Sequence, residues 1–413
     1  MRRPDRFQAR LAAIAAVALA VRVAAAIVTR HHLVQGDAMT FHQVAQHLAD
    51  GQGFHQPFSP LPTAEHPPAW EVVLAAADRL GANGYLAHRL IGGLIGTITV
   101  VLIGLLGRRV AGERVGLAAA GIAAVYPMLW AADVSLMSET LYGALVVGAL
   151  LAALALRARP GPARAALLGA LIALAALTRG EALLLLALLV VPLCRRRWRL
   201  LAVSLAAFAV VLAPWTIRNA TTFAKPVLIS GNSNGIWIGA NCHDTYYGPL
   251  IGYWRFQCYT PVRPGEDESV YYARQRAIGL RYLGHHLGRL PAVVGVRLLR
   301  LADVWSVPQS VFINAQEGRG TRVTRWGIYS AWLVMALAAA GAVVLRRRRA
   351  PLWVLLAPVL MVVLVGAATY GTTRFRFAAE PSFCVLAAAA LVAAAELRRV
   401  APPGARQRHR AAG

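Results

Sequence analysis

The chain has 413 residues, of which 58% are hydrophobic and 15% charged, with 43 Lys and Arg against 18 Asp and Glu for a formal net charge of +25. Its apolar residues run in uninterrupted stretches long enough to cross about 30 Å of hydrocarbon, which excludes a soluble globular domain. The positive charge sits in short arginine clusters between those stretches, as in membrane-flanking loops, and this placement excludes nucleic acid as a partner.

The first apolar stretch, residues 11–29, has basic residues before it, but it is long and no small-residue cleavage site precedes Arg30, so it reads as a retained helix. Nine more follow, at 85–106, 115–130, 134–156, 163–177, 181–193, 200–217, 326–345, 351–368 and 375–395. The expectation is an all-α integral membrane protein with about ten transmembrane helices. The fifth and sixth are short and separated only by Thr178, Arg179 and Gly180, which suggests a hairpin reaching the outer surface off-centre. Arginine clusters mark alternate connections: the N-terminus, 108–114, 157–164, 195–199, 346–349 and the tail from Arg398. By the positive-inside rule these are cytoplasmic, as are both termini of a multi-pass protein of a bacterial plasma membrane. The chain then divides into an N-terminal membrane module (1–217), a large outer loop (218–325), C-terminal spans (326–397) and a basic cytoplasmic tail (398–413).

The first outer loop, 30–84, carries two amphipathic helices. Phe41, Val44, Ala45 and Leu48 repeat at helical spacing before Gly51 and Gly53, and Trp70, Val73, Leu74, Ala77 and Leu80 repeat it after Pro67 and Pro68. Both are predicted to lie along the membrane. In the second outer loop, 223–259 is rich in Gly, Asn and Tyr and reads as a compact loop over the membrane. Residues 268–305 read as a basic amphipathic helix at the interface, with Arg297 and Arg300 among its arginines. Cys242 and Cys258 share this loop and are a disulfide candidate in an oxidising compartment.

Charged and polar groups beside the spans collect on the outer face, where intramembrane charge is costly and placed for a purpose. Asp133, Ser138 and Glu139 stand near the fourth span, Thr178, Arg179 and Glu181 in the hairpin, Arg218 and Asn219 after the seventh, and Arg374, Arg376 and Glu380 at the tenth. Asp37 follows the first span and lies near lipid-phosphate depth; taken alone it reads first as the N-cap of the helix after it. A carboxylate that takes a proton from an acceptor hydroxyl, opposite guanidinium groups that receive a departing lipid phosphate, describes a single displacement of a sugar with inversion. Asp37 is the candidate base. Arg374, Arg376, Arg218 and His66 are the candidate phosphate or donor ligands, and Glu65, Glu139, Arg179 and Glu380 are secondary site residues. Glu65, His66, His243 and Asp244 are metal-ligand types, but no close spacing joins them, and no cofactor is required.

These residues carry a family resemblance. The chain resembles the integral membrane glycosyltransferases of the C-type (GT-C) fold, in the group of the protein O-mannosyltransferases and aminoarabinose transferases. Gly36-Asp37 with the following helix and Gly-Gln-Gly-Phe turn, His66-Pro67-Pro68, Ser138-Glu139-Thr140-Leu141, Thr178-Arg179, Pro214-Trp215-Thr216-Ile217-Arg218-Asn219 and Arg374-Phe375-Arg376 with Glu380-Pro381 are similar to that group's motifs. Two positions depart: Ala38 stands where a second acid is usual, and His66 where Lys is usual. The resemblance implies a polyprenyl-phosphate sugar donor, a lipid, glycan or protein acceptor, and an active site on the outer face. A transporter or flippase of lipid-linked sugars and a non-catalytic assembly partner are the rival readings; polar groups gathered at one end, without a visible repeat, favour the enzyme over a midplane transporter site.

Overall fold

The computed structural model describes residues 6–400. Among these residues the regular elements are helical, and the only β-type pairing is an isolated bridge between His55 and Pro62. Six helices are long and apolar enough to cross a membrane: Arg6–Val28, Tyr85–Ala111, Glu139–Ala158, Trp198–Thr222, Thr321–Arg347 and Glu380–Arg398. Three shorter apolar segments, Pro162–Ala176, Gly180–Cys194 and Leu352–Ala368, and one bent helix pair account for the remaining four stretches read from the sequence. Residues 401–413, most of the expected tail, lie outside the described residues.

Two expected spans take a different shape. The stretch 115–130 is not one straight helix but a pair, Glu113–Val125 and Pro127–Asp133, bent by 58°. Pro127 lacks the N–H that would continue the first helix, and it drives Tyr126 into an extended conformation. The next span begins at Glu139 rather than 134, because Leu136 has a φ of 65° and turns the chain there. In the hairpin, Gly180–Cys194 opens as a 3₁₀ turn and passes through a π turn at Leu186–Val190 just ahead of Pro192, whose missing N–H and bulky ring disfavour a regular α turn.

Small residues let the spans approach closely, as expected where lipid removes the hydrophobic drive between helices. A Cβ on Gly341 would stand 1.8 Å from the Leu386 carbonyl oxygen, and one on Gly169 2.0 Å from that of Ser204. Arg22 and Asp133 form a buried pair at 2.8 Å that ties the first span to the end of the bent pair. Asp133 is thereby a packing element.

Above the spans, Asp37–Ala49 and Ala69–Arg79 pack on each other and on the turn at Leu136 and Met137 through Phe41, Ala45, Trp70 and Leu74. The Trp70 indole N–H donates to the Leu136 carbonyl at 3.0 Å. Leu80, expected on the apolar stripe, falls at the C-cap and is exposed. The expected basic interfacial helix at 268–305 is two helices, Glu268–His285 and Leu290–Leu301, and its last two arginines face inward. Arg297 donates to the carbonyls of Ala240, Ala367 and Ala368, and Arg300 to those of Pro249 and Ile251, so these buried cations close loop backbone that would otherwise lack partners.

Candidate active site

Asp37 is the first residue of its helix rather than the N-cap, which is Gly36 at φ 59°. Its carboxylate instead accepts from Arg374 Nη1 at 2.7 Å. Arg374 sits in the helical turn Thr373–Arg376, between Leu352–Ala368 and the last span. Its Nε donates to Glu139 Oε1 at 2.5 Å and lies 3.6 Å from Glu317. Arg179 of the hairpin joins the same Glu139 oxygen at 3.1 Å and pairs with Glu181 at 2.6 Å. Groups from the first outer loop, the fourth span, the hairpin and the turn at 373–376 thus converge, together with Glu317 of the large outer loop.

Asp37, Arg179, Glu181 and Arg374 line a polar cavity of ≈ 120 Å³ whose walls also carry Glu65, His66, Ser230, Ser233 and Tyr370, while Glu139 is buried behind the two arginines. Asp37 opens into it, 34% exposed. The His66 Nε2 stands 3.8 Å from Asp37 Oδ1 and is buried without a hydrogen-bond partner. Burial pushes the Asp37 carboxyl up, but Arg374, His66 and Arg179 together more than reverse this and hold it well below the usual carboxylate range. Glu317 goes the other way: burial, only partly offset by Arg374 and Arg319, raises it to about 7. Two carboxylates that face one arginine therefore differ in protonation near neutral pH.

The polar cavity adjoins an apolar groove of ≈ 710 Å³; Glu181, Ser230, Ser233 and Phe375 line both, and Leu183, Leu184, Leu364 and Val365 extend the groove along the spans. A second polar cavity of ≈ 190 Å³ also reaches Asp37 and Arg374, with Glu317, Tyr253 and Trp254 in its wall.

Not every predicted site residue is here. Arg376 lies two positions from Arg374, and residues so spaced on a helical turn do not share a face. It is 3% exposed, donating to Asp303 and the Leu301 carbonyl at 2.7 Å and to Glu380 at 2.6 Å, while Glu380 accepts from the Tyr126 hydroxyl at 2.8 Å. The phosphate role expected of Arg376 and the site role of Glu380 are corrected to a buried support behind the turn. Arg218 also stands off the cavity: it donates to the carbonyls of Thr63 and Phe54 and lies among the rings of Phe54, Trp215 and Phe223. It fixes the first outer loop rather than facing a phosphate. His243 and Asp244 pair with each other at the surface, 3.6 Å apart, away from His66. Among the described residues no group of three His, Cys, Asp or Glu is placed to hold a metal. Cys242 and Cys258 are joined in a disulfide, their Cα atoms 6.3 Å apart.

The sequence reading missed Glu317 and Glu268. Glu317 sits in Gln316-Glu317-Gly318-Arg319 directly before a span, an acid at a span entrance as Glu139 is, and that position was the available signal. Glu268 accepts from the Ala64 N–H at 2.8 Å and the Thr63 hydroxyl at 2.7 Å, while the Gly231 N–H donates to the Ala64 carbonyl at 2.7 Å. These contacts from the large outer loop hold the strap that presents Glu65 and His66.

Residues 65–217 match the family model described as dolichyl-phosphate-mannose-protein mannosyltransferase. No curated protein matches the chain. The oligosaccharyltransferase of Archaeoglobus fulgidus, in complex with Zn and sulfate, superposes over 93% of this chain and 49% of its own at 16% identity, with a TM-score of 0.54. The archaeal oligosaccharyltransferase AglB from the same organism, in complex with an inhibitory peptide and a dolichol-phosphate, gives a TM-score of 0.55 at 15% identity over 94% of this chain and 50% of its own. The chain has the C-type glycosyltransferase fold. ArnT from Cupriavidus metallidurans bound to undecaprenyl phosphate covers 93% of this chain and 78% of its own at 17% identity, with a TM-score of 0.43. This GT-C chain spans about half the length of the archaeal proteins it superposes on.

Proposed function

We infer that the protein is a membrane glycosyltransferase that moves a sugar from a polyprenyl-phosphate donor to an acceptor hydroxyl at the outer face of a bacterial plasma membrane. The observation that carries this is the Asp37–Arg374 contact at 2.7 Å in a polar cavity that runs into an apolar groove. The groove suits a polyprenyl chain, and the cavity end suits its phosphate and sugar. AglB, which shares the fold, is held in complex with a dolichol-phosphate, and the matching family model names dolichyl-phosphate-mannose; both agree with a lipid-phosphate donor.

In the reaction, the acceptor hydroxyl attacks the anomeric carbon from the face opposite the phosphate. The C–O bond to the phosphate breaks, its electron pair stays on the phosphate oxygen, and the hydroxyl proton passes to Asp37. One displacement inverts the centre. Arg374, Arg179 and His66 are the groups placed to receive the charge that develops on the leaving phosphate. Glu139, 0% exposed, holds both arginines in position. Because Asp37 stays ionised well into acid, it is a weak base that accepts the proton only as the new bond forms. No metal or other cofactor is assigned. The acceptor is lipid, glycan or protein.

The test is transfer of labelled sugar from a panel of polyprenyl-phosphate donors in proteoliposomes, comparing the native chain with Asp37→Asn. The expected loss is about 10²–10⁴-fold with donor binding kept. Equal transfer by both proteins removes Asp37 from the chemistry. Movement of lipid-linked sugar across the bilayer without transfer assigns the protein to the flippases.

A further inference from the structure

At the end of the bundle away from the polar cavity, a recess of ≈ 380 Å³ is lined by Leu156, Arg157, Pro192, Arg195, Arg197 and Trp353, with Leu193 beside them. The helix Glu139–Ala158 runs from one site to the other: Glu139 is at the candidate active site and Arg157 at the recess, about 27 Å away at 1.5 Å per residue. Neither the proposed reaction nor the fold's packing uses these arginines.

Some arginines at this end are paired with acids. Arg108 pairs with Glu113 at 2.9 Å, and Arg348 and Arg114 reach Glu396 at 2.7 and 3.8 Å. The recess has no acidic residue in its wall, and the guanidinium groups of Arg157, Arg195 and Arg197 have no hydrogen-bond or ion-pair partner among the described residues. All three are exposed and surround one concavity, where a single anion would meet several guanidinium groups. The remaining walls are apolar, and Trp353, at the start of Leu352–Ala368, is the residue type favoured at headgroup level. The limbs that frame the recess are short: Gly180–Cys194, at about 22 Å if fully helical, falls short of about 30 Å of hydrocarbon, which draws its flanking arginines toward lipid.

We propose that this recess is a binding site for the phosphate of an anionic phospholipid, with Arg157, Arg195 and Arg197 as its ligands and Leu193 and Trp353 against the glycerol and upper acyl chain. Guanidinium suits this ligand because its fork matches phosphate oxygens. Apolar walls beside the charges select a lipid over a free ion.

The experiment measures lipid retained by the purified full chain, by native mass spectrometry after exchange into phosphatidylglycerol or phosphatidylcholine. The native chain is compared with Arg157→Gln/Arg195→Gln/Arg197→Gln and with Arg114→Gln/Arg348→Gln, which removes acid-paired arginines from the same end. Phosphatidylglycerol retention is expected to weaken about fivefold for each recess arginine removed, from about 1 kcal/mol per basic side chain at an anionic surface. The acid-paired variant and phosphatidylcholine retention are expected to stay unchanged. Equal loss per arginine in both variants marks a diffuse charge effect and overturns the site. Displacement of the lipid by inorganic phosphate assigns the recess to a free ion and also overturns it. Should the triple variant not fold, single substitutions at the exposed Arg195 and Arg197 carry the same test.

Discussion

Replacing Arg374 by Met removes the cation that Asp37, Glu139 and Glu317 share. Four carboxylates, Asp37, Glu139, Glu181 and Glu317, then face Arg179 alone among the cavity's arginines. Glu139 is 0% exposed and keeps only its 3.1 Å contact with Arg179, and its second oxygen already lacks a partner. Breaking a buried pair of this kind costs about 3–5 kcal/mol, so the midpoint of thermal unfolding in detergent should fall by several degrees. Transfer should fall further than stability explains, about 10²–10³-fold at a temperature where the variant is folded, because a donor to the leaving phosphate is gone. The pH profile separates these effects. Arg374 is the largest influence holding the Asp37 carboxyl down against burial, so without it the Asp37 pKa rises and the acid limb of kcat/KM moves to higher pH. Arg374→Lys should restore part of the rate and little of the stability, since an ammonium does not present a planar fork to several carboxylates. A variant folded at the assay temperature with native kcat and an unmoved acid limb would refute the assignment of Arg374 to the reaction.

The other predictions follow from groups away from the chemistry. Arg376→Met leaves Asp303 and Glu380 buried without their cation and should cost about 3–5 kcal/mol, while any folded fraction keeps the native KM for donor; a raised KM at native stability would return Arg376 to the phosphate. Replacing Cys242 and Cys258 by Ser opens a loop of sequence separation 16 and should cost about 3 kcal/mol, with reductant lowering the native chain to the variant's unfolding midpoint. Glu268 is raised to about 7 by burial, against the pull of Thr63 and the Ala64 N–H, so the folded state binds more protons than the unfolded chain between the ordinary carboxyl value and 7. Its contribution makes stability fall as pH rises through that window, and Glu268→Gln should remove that slope, worth roughly 1–3 kcal/mol in denaturant titrations at the two ends.

Much of the fold is legible because bilayer thickness imposes a length on apolar runs. The order of the spans and the two helices of the first outer loop follow from hydropathy, helical spacing, Gly and Pro. Asp37, Glu139, Arg179 and Arg374 could be gathered on one face from topology alone. The split between Arg374 and Arg376 could not, because it depends on a four-residue helical turn whose register is set by contacts with Asp303 and Glu380, both from other elements. Arg218 reads from the sequence as an available charge at a span end; only the placement of the Thr63 and Phe54 carbonyls shows it to be occupied. The inward arginines of the large outer loop illustrate the same limit. A basic helix and a buried scaffold of carbonyl partners have the same composition, and the partners are 49–71 residues away in the chain.

The shortness of the hairpin has a further consequence for where a reaction would take place. Pro162–Ala176 has 15 residues, and the chain turns at Thr178, level with Glu139 at the start of Glu139–Ala158. One more turn would carry Arg179 about 5.4 Å along the axis and away from its Glu139 partner. The length of this segment therefore sets how far along the bundle the guanidinium stands. Under the proposed function, that length fixes the level at which a lipid-linked phosphate would meet its cation.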